Sequence, residues 1–486
     1  MGINIKIIGS GFSSIAAACY LANKGHEVTV FEKNQSIGGR ARQLKKEGFT
    51  FDMGPSWYWM PDVFERFFGD FNKKPSDYYE LIKLSPAYRV YYGINDFIAI
   101  ADNLEEIIST FEAIEKGSGK VLAKFMAEAK SNYDIAIKDL VYRPGVSPLE
   151  LITTETALKV GQFFSNISKD VRKKFKNERL IQILEFPVLF LGAKPSDTPS
   201  FYSFMNYADF GMGTWHPKTG MYDVIRGMES LALELGVRFE TNSNIEKIIV
   251  ENKKAVALQI NGKRIDADII LSGADYHHTE TLLDPEYRAY SEKYWESKTF
   301  APSSLLFYVG FNKKIENISH HALFFDVDFN QHAKDIYDEP KWPENPLFYA
   351  NFPSITDKTA APEGMESGFF LIPLAPGIED TPELREAYFE KIISRFEALT
   401  NQNIKENIIF KESFCKLDFE EVYNSYKGNA YGMANTLLQT AFLRPKLKSK
   451  MIENMYFTGQ LTVPGPGVPP ALISGKLVAE LIEKNL

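Results

Sequence analysis

The alternation of apolar and polar positions singles out one unit at the start of the chain. Ile3, Ile5, Ile7 and Ile8 make a β-type run that leads into Gly9-Ser10-Gly11-Phe12-Ser13-Ser14. The Ala-rich stretch Ile15 to Asn23 reads as a helix, and Val28-Thr29-Val30-Phe31 is a second β-type run closed by Glu32. Strand, glycine turn, helix and strand in that order predict a βαβ unit that holds a dinucleotide. Gly9 permits the turn, and Gly11 lets the backbone approach a pyrophosphate at the positive end of the helix. Ser14 replaces the third glycine of the fingerprint and is small enough for close helix–strand packing. Glu32 offers a carboxylate to ribose hydroxyls. Phe12, Ser13 and Lys33 complete this set of candidate cofactor contacts.

A second glycine pair, Gly38-Gly39, is followed by Arg40-Ala41-Arg42, so backbone again passes close to a ligand while Arg40 can bind phosphate. The segment Gly48 to Trp57 alternates briefly and breaks at Gly54-Pro55-Ser56. Helical periodicity then takes over, at Leu104 to Lys116, Ser118 to Lys138 and Glu150 to Phe164, after two β-like runs at Tyr88 to Tyr92 and Phe97 to Ile100. The most apolar patch, Ile181 to Leu191, and the aromatic stretch Phe201 to Phe210 suit a buried core, a substrate-tunnel roof or a membrane face. Gly220 to about Leu235 reads as turn and helix. Strands follow at Val237 to Glu240, Ile245 to Glu251, Ala255 to Ile260 and Arg264 to Leu271, with Asn261-Gly262 as a hairpin turn. Later elements are strands near Ser304 to Gly310 and Gly368 to Leu374 and a helix over Pro382 to Leu399. The chain ends on a strand reaching Thr458-Gly459-Gln460, a Pro464 to Pro470 loop and a helix over Ala471 to Ile482, whose first N–H groups can face an electron-rich ligand edge.

Length and composition set limits. At 486 residues the chain is long enough for two or three cores, and aromatics reach 14%, with 37 Phe and 24 Tyr, which suits a large apolar pocket. The net charge of −8 is spread among interspersed cations, so no basic nucleic-acid stripe is expected. Cys19 and Cys415 are the only cysteines, which fits a reducing compartment, and no Cys-x-x-Cys or His-x-x-x-His pattern suggests a metal. A signal peptide is not expected, since the first strand begins by residue 3, and no apolar run reaches 18 residues.

The Gly38-Gly39-Arg40 run after the second strand resembles the FAD-dependent amine-oxidase and carotenoid-desaturase superfamily. Asn454 to Lys476, with Pro464-Gly465-Pro466-Gly467-Val468-Pro469 inside it, is similar to the signature of bacterial phytoene-type carotenoid desaturases. So are Gly428 to Gly432 with Phe442-Leu443-Arg444-Pro445, the Gly220 to Asp275 block, and Pro353 to Asp357 with Ala361 to Gly364. The resemblance implies FAD as cofactor, bound by Gly9, Gly11, Glu32, Gly39, Arg40, Gly459 and Val468. It sets Gly54, Pro55 and Ser56 beside the flavin, a backbone group of Ile245 against adenine, and Gln460 and Gly467 in the closing loop. It also implies a carotenoid substrate, extended in conjugation by loss of a hydride to flavin N5 and a proton to a base or water. Glu150 is the candidate base, and the 3,4 bond of a 1-hydroxylated carotenoid is the favoured target. Phytoene desaturation, carotenoid isomerisation or ketolation, amine oxidation and, outside enzymes, a prenyl-binding escort protein are the alternatives. The electron acceptor, oxygen or a quinone, stays open.

The expected architecture is an α/β protein. A Rossmann-like, discontinuous FAD domain takes residues 1–70, 215–290 and 450–486. A mainly helical, membrane-facing region takes 71–214, and a second α/β substrate layer takes 291–449. A cytoplasmic protein held peripherally at the inner membrane is the expected setting.

Overall fold

A computed structural model describes residues 2–151 and 153–486, without the side chains of Pro148, Leu151 and Phe190. At its centre β1 (Asn4–Ile8) lies in a parallel five-stranded sheet between Ile269–Ser272 and β2 (Glu27–Phe31), with Met455–Phe457 and Arg238–Glu240 at the edges. A parallel sheet is covered on both faces, which is why β1 and β2 are almost uniformly buried. On one face α1 (Phe12–Asn23) packs against the C-terminal helix Val468–Asn485. A Cβ at Gly475 would lie 2.5 Å from the Ser13 carbonyl oxygen, so these helices meet backbone to backbone. On the other face lies an antiparallel ribbon of Ile245–Glu251, Lys254–Ile260 and Lys263–Asp266. Its hairpin turn has positive φ at both Asn261 and Gly262, as that dipeptide predicts.

The sequence predicts one strand over Arg264 to Leu271, and the structure contains two. Lys263–Asp266 closes the ribbon, and the chain crosses at Ala267-Asp268 so that Ile269–Ser272 enters the parallel sheet. Asp268 marks the crossing by accepting the Asn4 N–H at 2.8 Å. Two short strands with a polar corner and one long strand share the same apolar pattern. Glu150 to Phe164, predicted as a helix, is broken into the short turns Pro148–Leu151, Thr154–Leu158 and Val160–Phe163, with Ile152 between them outside the described residues.

Residues 303–414 form the larger part of a seven-stranded sheet in the order Ile408–Phe414, Ser303–Phe311, Glu366–Leu374, Phe348–Asn351, His321–Phe324, Tyr88–Gly93, Asp96–Ile100. Its last two strands come from the 71–214 stretch and join through one parallel pairing, Ala322–Phe324 with Arg89–Tyr91. The remainder of that stretch is mainly helical, with Leu104–Ile114, Ser118–Lys138, Ile167–Lys174 and Glu178–Glu185 as its principal helices. Period-two alternation divides the sheet. Phe307, Phe324 and Phe370 turn toward the helix Pro382–Thr400, while Leu306, Leu323, Tyr349 and Leu371 turn toward the interior between the layers.

In the run Phe186 to Phe210, read from the sequence as a possible membrane face, the aromatic and aliphatic side chains are largely buried, that of Phe190 lying outside the described residues. Phe186, Phe201, Phe204 and Phe210 are only 2–6% exposed, and Phe186 meets the rings of Trp57, Tyr88 and Phe325. Among the described residues no helix is long and apolar enough to cross a membrane.

Candidate active site

One continuous cavity runs from the carboxyl ends of β1 and β2 into the space beneath the seven-stranded sheet. Every candidate cofactor residue named from the sequence lines it except Ser14. Ser14 faces away, fully buried against Gly273, where a Cβ would lie 2.0 Å from the serine oxygen. Its smallness therefore serves the packing of α1 on the sheet and not ligand contact. Glu150 is also absent from the wall. Its carboxylate accepts the backbone N–H groups of Gly145, Val146 and Ser147 at 2.8–3.2 Å, so it closes its own loop and is not placed to take a substrate proton.

The nucleotide half of the cavity suits FAD on three counts. At Gly11, the N-cap of α1, an added Cβ would meet nothing within 4 Å, so open space lies where the helix's free N–H groups point. Arg40 holds Ser425 and the Asn429 carbonyl through one nitrogen, its Nε has no partner among the described residues, and burial lowers the pKa of its guanidinium. A buried cation with donors to spare suits a phosphate. At the far end Gly467, at φ 114°, opens the C-terminal helix. Pro469 and Pro470 have no N–H and Ala471 N–H bonds the Gly467 carbonyl at 3.0 Å, so Val468 supplies the first-turn donor for an electron-rich ring edge. Glu32 is 5% exposed, with its oxygens held by Ser10 at 2.6 and 3.1 Å and by Asn34 at 2.8 and 2.9 Å, so a ribose hydroxyl must share or displace those donors.

Beneath the sheet the lining becomes mostly apolar, and the side chains that gather around Ser56 there were not legible in the sequence. Tyr349 Oη lies 2.6 Å from His321 Nδ1 and 2.9 Å from Ser56 Oγ, and Trp57 stacks on His321 with ring centroids 4.0 Å apart. Behind them His320 lies between His321 and His216 with centroid distances of 4.5 and 4.3 Å. Strand pairing assembles this group, because Leu323 opposes Tyr349 and His321 opposes Asn351 in antiparallel register. No spacing in a single stretch of chain could reveal it. His277 and His278 are used elsewhere: Asp275 caps their helix by accepting His278 N–H, and His277 contacts Glu292. Among the described residues no group of three or more ligating side chains could hold a metal.

Burial keeps these imidazoles neutral. It lowers His216 to about 4 and, with the neighbouring histidines, holds His320 and His321 well below the ordinary value. An unfolded chain binds the His216 proton near pH 6.5 and the folded chain only near about 4, so this residue's contribution is present above 6.5 and lost as pH falls through that window. Measured against a His216→Phe variant across that window, the wild type is expected to lose about 1.4 kcal/mol more stability per pH unit. Paired urea titrations at pH 6.5 and 5 check this, and a constant difference between the two proteins contradicts it.

Comparison with known proteins agrees with this geometry. The profile of the family described as flavin containing amine oxidoreductase matches residues 13–483. A carotenoid 3,4-desaturase from Haloarcula japonica is 38% identical over 100% of this chain and 99% of its own length. A 4,4'-diapophytoene desaturase (4,4'-diaponeurosporene-forming) from Staphylococcus haemolyticus is 32% identical, covering 99% of both chains. The crystal structure of an oxidoreductase from Methanosarcina mazei shares the fold with a TM-score of 0.64 at 17% identity, covering 98% of this chain and 99% of that one. The chain belongs to the flavin containing amine oxidoreductase family; it is an FAD-dependent oxidoreductase.

Proposed function

We propose that this enzyme desaturates a carotenoid, with the 3,4 bond of a 1-hydroxylated end as its target. The observation that carries the reading is the continuity of one cavity, in which the dinucleotide cradle opens directly into an apolar chamber walled by Leu306, Leu323, Phe325 and Leu371. Full-length similarity to a carotenoid 3,4-desaturase supports the carotenoid and the position of the bond. Bound FAD supplies the two-electron acceptor for the hydrogen removed. The chain's own residues do the rest. Arg40 and the start of α1 would hold the pyrophosphate, Val468 would offer its N–H to the ring, and the chamber would exclude water from the polyene.

Membrane association is part of the proposal, on a face other than the one the sequence suggests. Val146, Leu149, Leu158 and Phe164 are 64–82% exposed, and Leu438 is 76% exposed on a segment that meets theirs. Lys446 joins the two segments by donating to the Gly145 and Phe442 carbonyls. A protein that draws a lipid-borne substrate from the inner membrane needs such a peripheral contact.

The test is co-expression with pathways that accumulate either phytoene or 1-hydroxylated carotenoids. A bathochromic shift with the hydroxylated pigment is expected. Coloured product from phytoene alone contradicts the choice of bond, and no change with any carotenoid contradicts the reading.

A further inference from the structure

Ser56 and Tyr349 both line the mostly apolar chamber, His321 stands directly behind them, and the hydrogen-bond directions there can be worked out. Asn351 Nδ2 donates to the His320 carbonyl at 3.0 Å and lies 3.2 Å from His321 Nδ1. An amide nitrogen can only donate, so Nδ1 is the acceptor nitrogen of that ring. Tyr349 therefore gives its proton to His321. The Tyr349 oxygen is left to accept, and Ser56 gives its hydroxyl proton to it. Ser56 Oγ keeps its lone pairs, on the cavity wall, for a further donor. Both residues are 8% exposed, so this acceptor is shielded from competing water.

We infer that Ser56 and Tyr349 form the subsite for the terminal hydroxyl of the carotenoid, the substrate O–H donating to Ser56 Oγ. The inference rests on the proposed 3,4-desaturation and deepens it. A hydroxyl on C1 is separated from C3 by a single carbon, so its binding group has to stand beside the reacting bond and hence beside the flavin. A bond in the middle of a polyene would put the chain end far down the chamber instead. Ser56 stands at that junction. Two residues before it Gly54 packs on the nucleotide half, a Cβ there falling 2.3 Å from the Arg40 carbonyl oxygen, while Trp57 just after it stacks on His321 in the chamber. A pocket built to pair a hydroxyl discriminates strongly against a ligand lacking it, because its own polar atoms are then stranded.

The experiment compares the wild type, Ser56→Ala and Tyr349→Phe as FAD-loaded enzymes on two carotenoids alike except for the 1-hydroxyl. Binding is measured separately, by quenching of tryptophan fluorescence. Both variants are expected to lower the ratio of kcat/KM for the hydroxylated over the plain carotenoid by roughly tenfold to a hundredfold, and to weaken binding of the hydroxylated one in parallel. An equal loss on both substrates overturns the inference and gives the pair a role in proton removal or folding. A wild type that does not distinguish the two also overturns it. Weakened binding of the hydroxylated carotenoid in Ser56→Ala, together with a wild type that turns over no carotenoid, keeps the subsite and refutes desaturation.

Discussion

Gly11→Val is expected to give a folded protein that purifies without flavin. Gly11 has an ordinary φ of −73°, and an added Cβ meets nothing within 4 Å, so the chain itself tolerates a side chain there. That open space is where a pyrophosphate would sit, and a β-branched side chain would fill it and block the N–H groups of α1. Affinity for FAD should fall by about a hundredfold or more, the cost of overpacking a close contact. Wild-type apoprotein should gain thermal stability on adding FAD and the variant should not. Gly475→Val provides the contrast. Its side chain would drive into the Ser13 carbonyl, so that variant should lose its fold along with its flavin.

Arg444→Met is expected to lower stability by about 2–4 kcal/mol, because buried acceptors left without a donor cost roughly 1–3 kcal/mol each, partly offset by relieving a buried charge. Arg444 is 2% exposed, and its guanidinium donates to the carbonyl of Gln460 at 3.1 Å, to that of Met433 at 2.8 Å and to the Asn435 side chain. Burial lowers its pKa to about 10, which still leaves it charged at neutral pH. It ties the segment around Met433 to the loop that follows Gly459, and both face the cofactor end of the cavity. Methionine fills most of the volume and leaves three acceptors unmet. Chemical denaturation of the holoprotein measures the loss, and a change below about 1 kcal/mol would mean that the network carries little.

The two effects lie at opposite ends of what the sequence made legible. The β1–α1–β2 unit could be read because each of its signals is local: a β-type run, two glycines, an Ala-rich helix, an acid at the strand end. Arg444 belongs to a stretch that resembles the desaturase signature, yet its role is invisible without the carbonyls it reaches, 9 to 16 residues away in sequence. The Ser56–Tyr349–His321 group is harder still, since its members come from a loop and two paired strands separated by up to 293 residues. Where apolar pattern was the sole guide, burial and exposure were confused. Phe186, Phe201, Phe204 and Phe210 are as greasy as a membrane face and are buried, whereas Leu158 and Phe164, in a stretch read only as helix, stand exposed. Glu150 was singled out by its resemblance-based position, and its carboxylate serves three backbone N–H groups in its own loop. The closing Pro-rich loop was read as offering several first-turn donors, and its prolines leave Val468 to supply one.

The most direct test of the account mixes oxidised holoenzyme with a 1-hydroxylated carotenoid in the absence of oxygen. The flavin absorption should bleach as the polyene band moves to longer wavelength, one reduced flavin for each new double bond, and an amine should have no such effect. Bleaching by an amine, or a flavin that stays oxidised with every carotenoid offered, would contradict it.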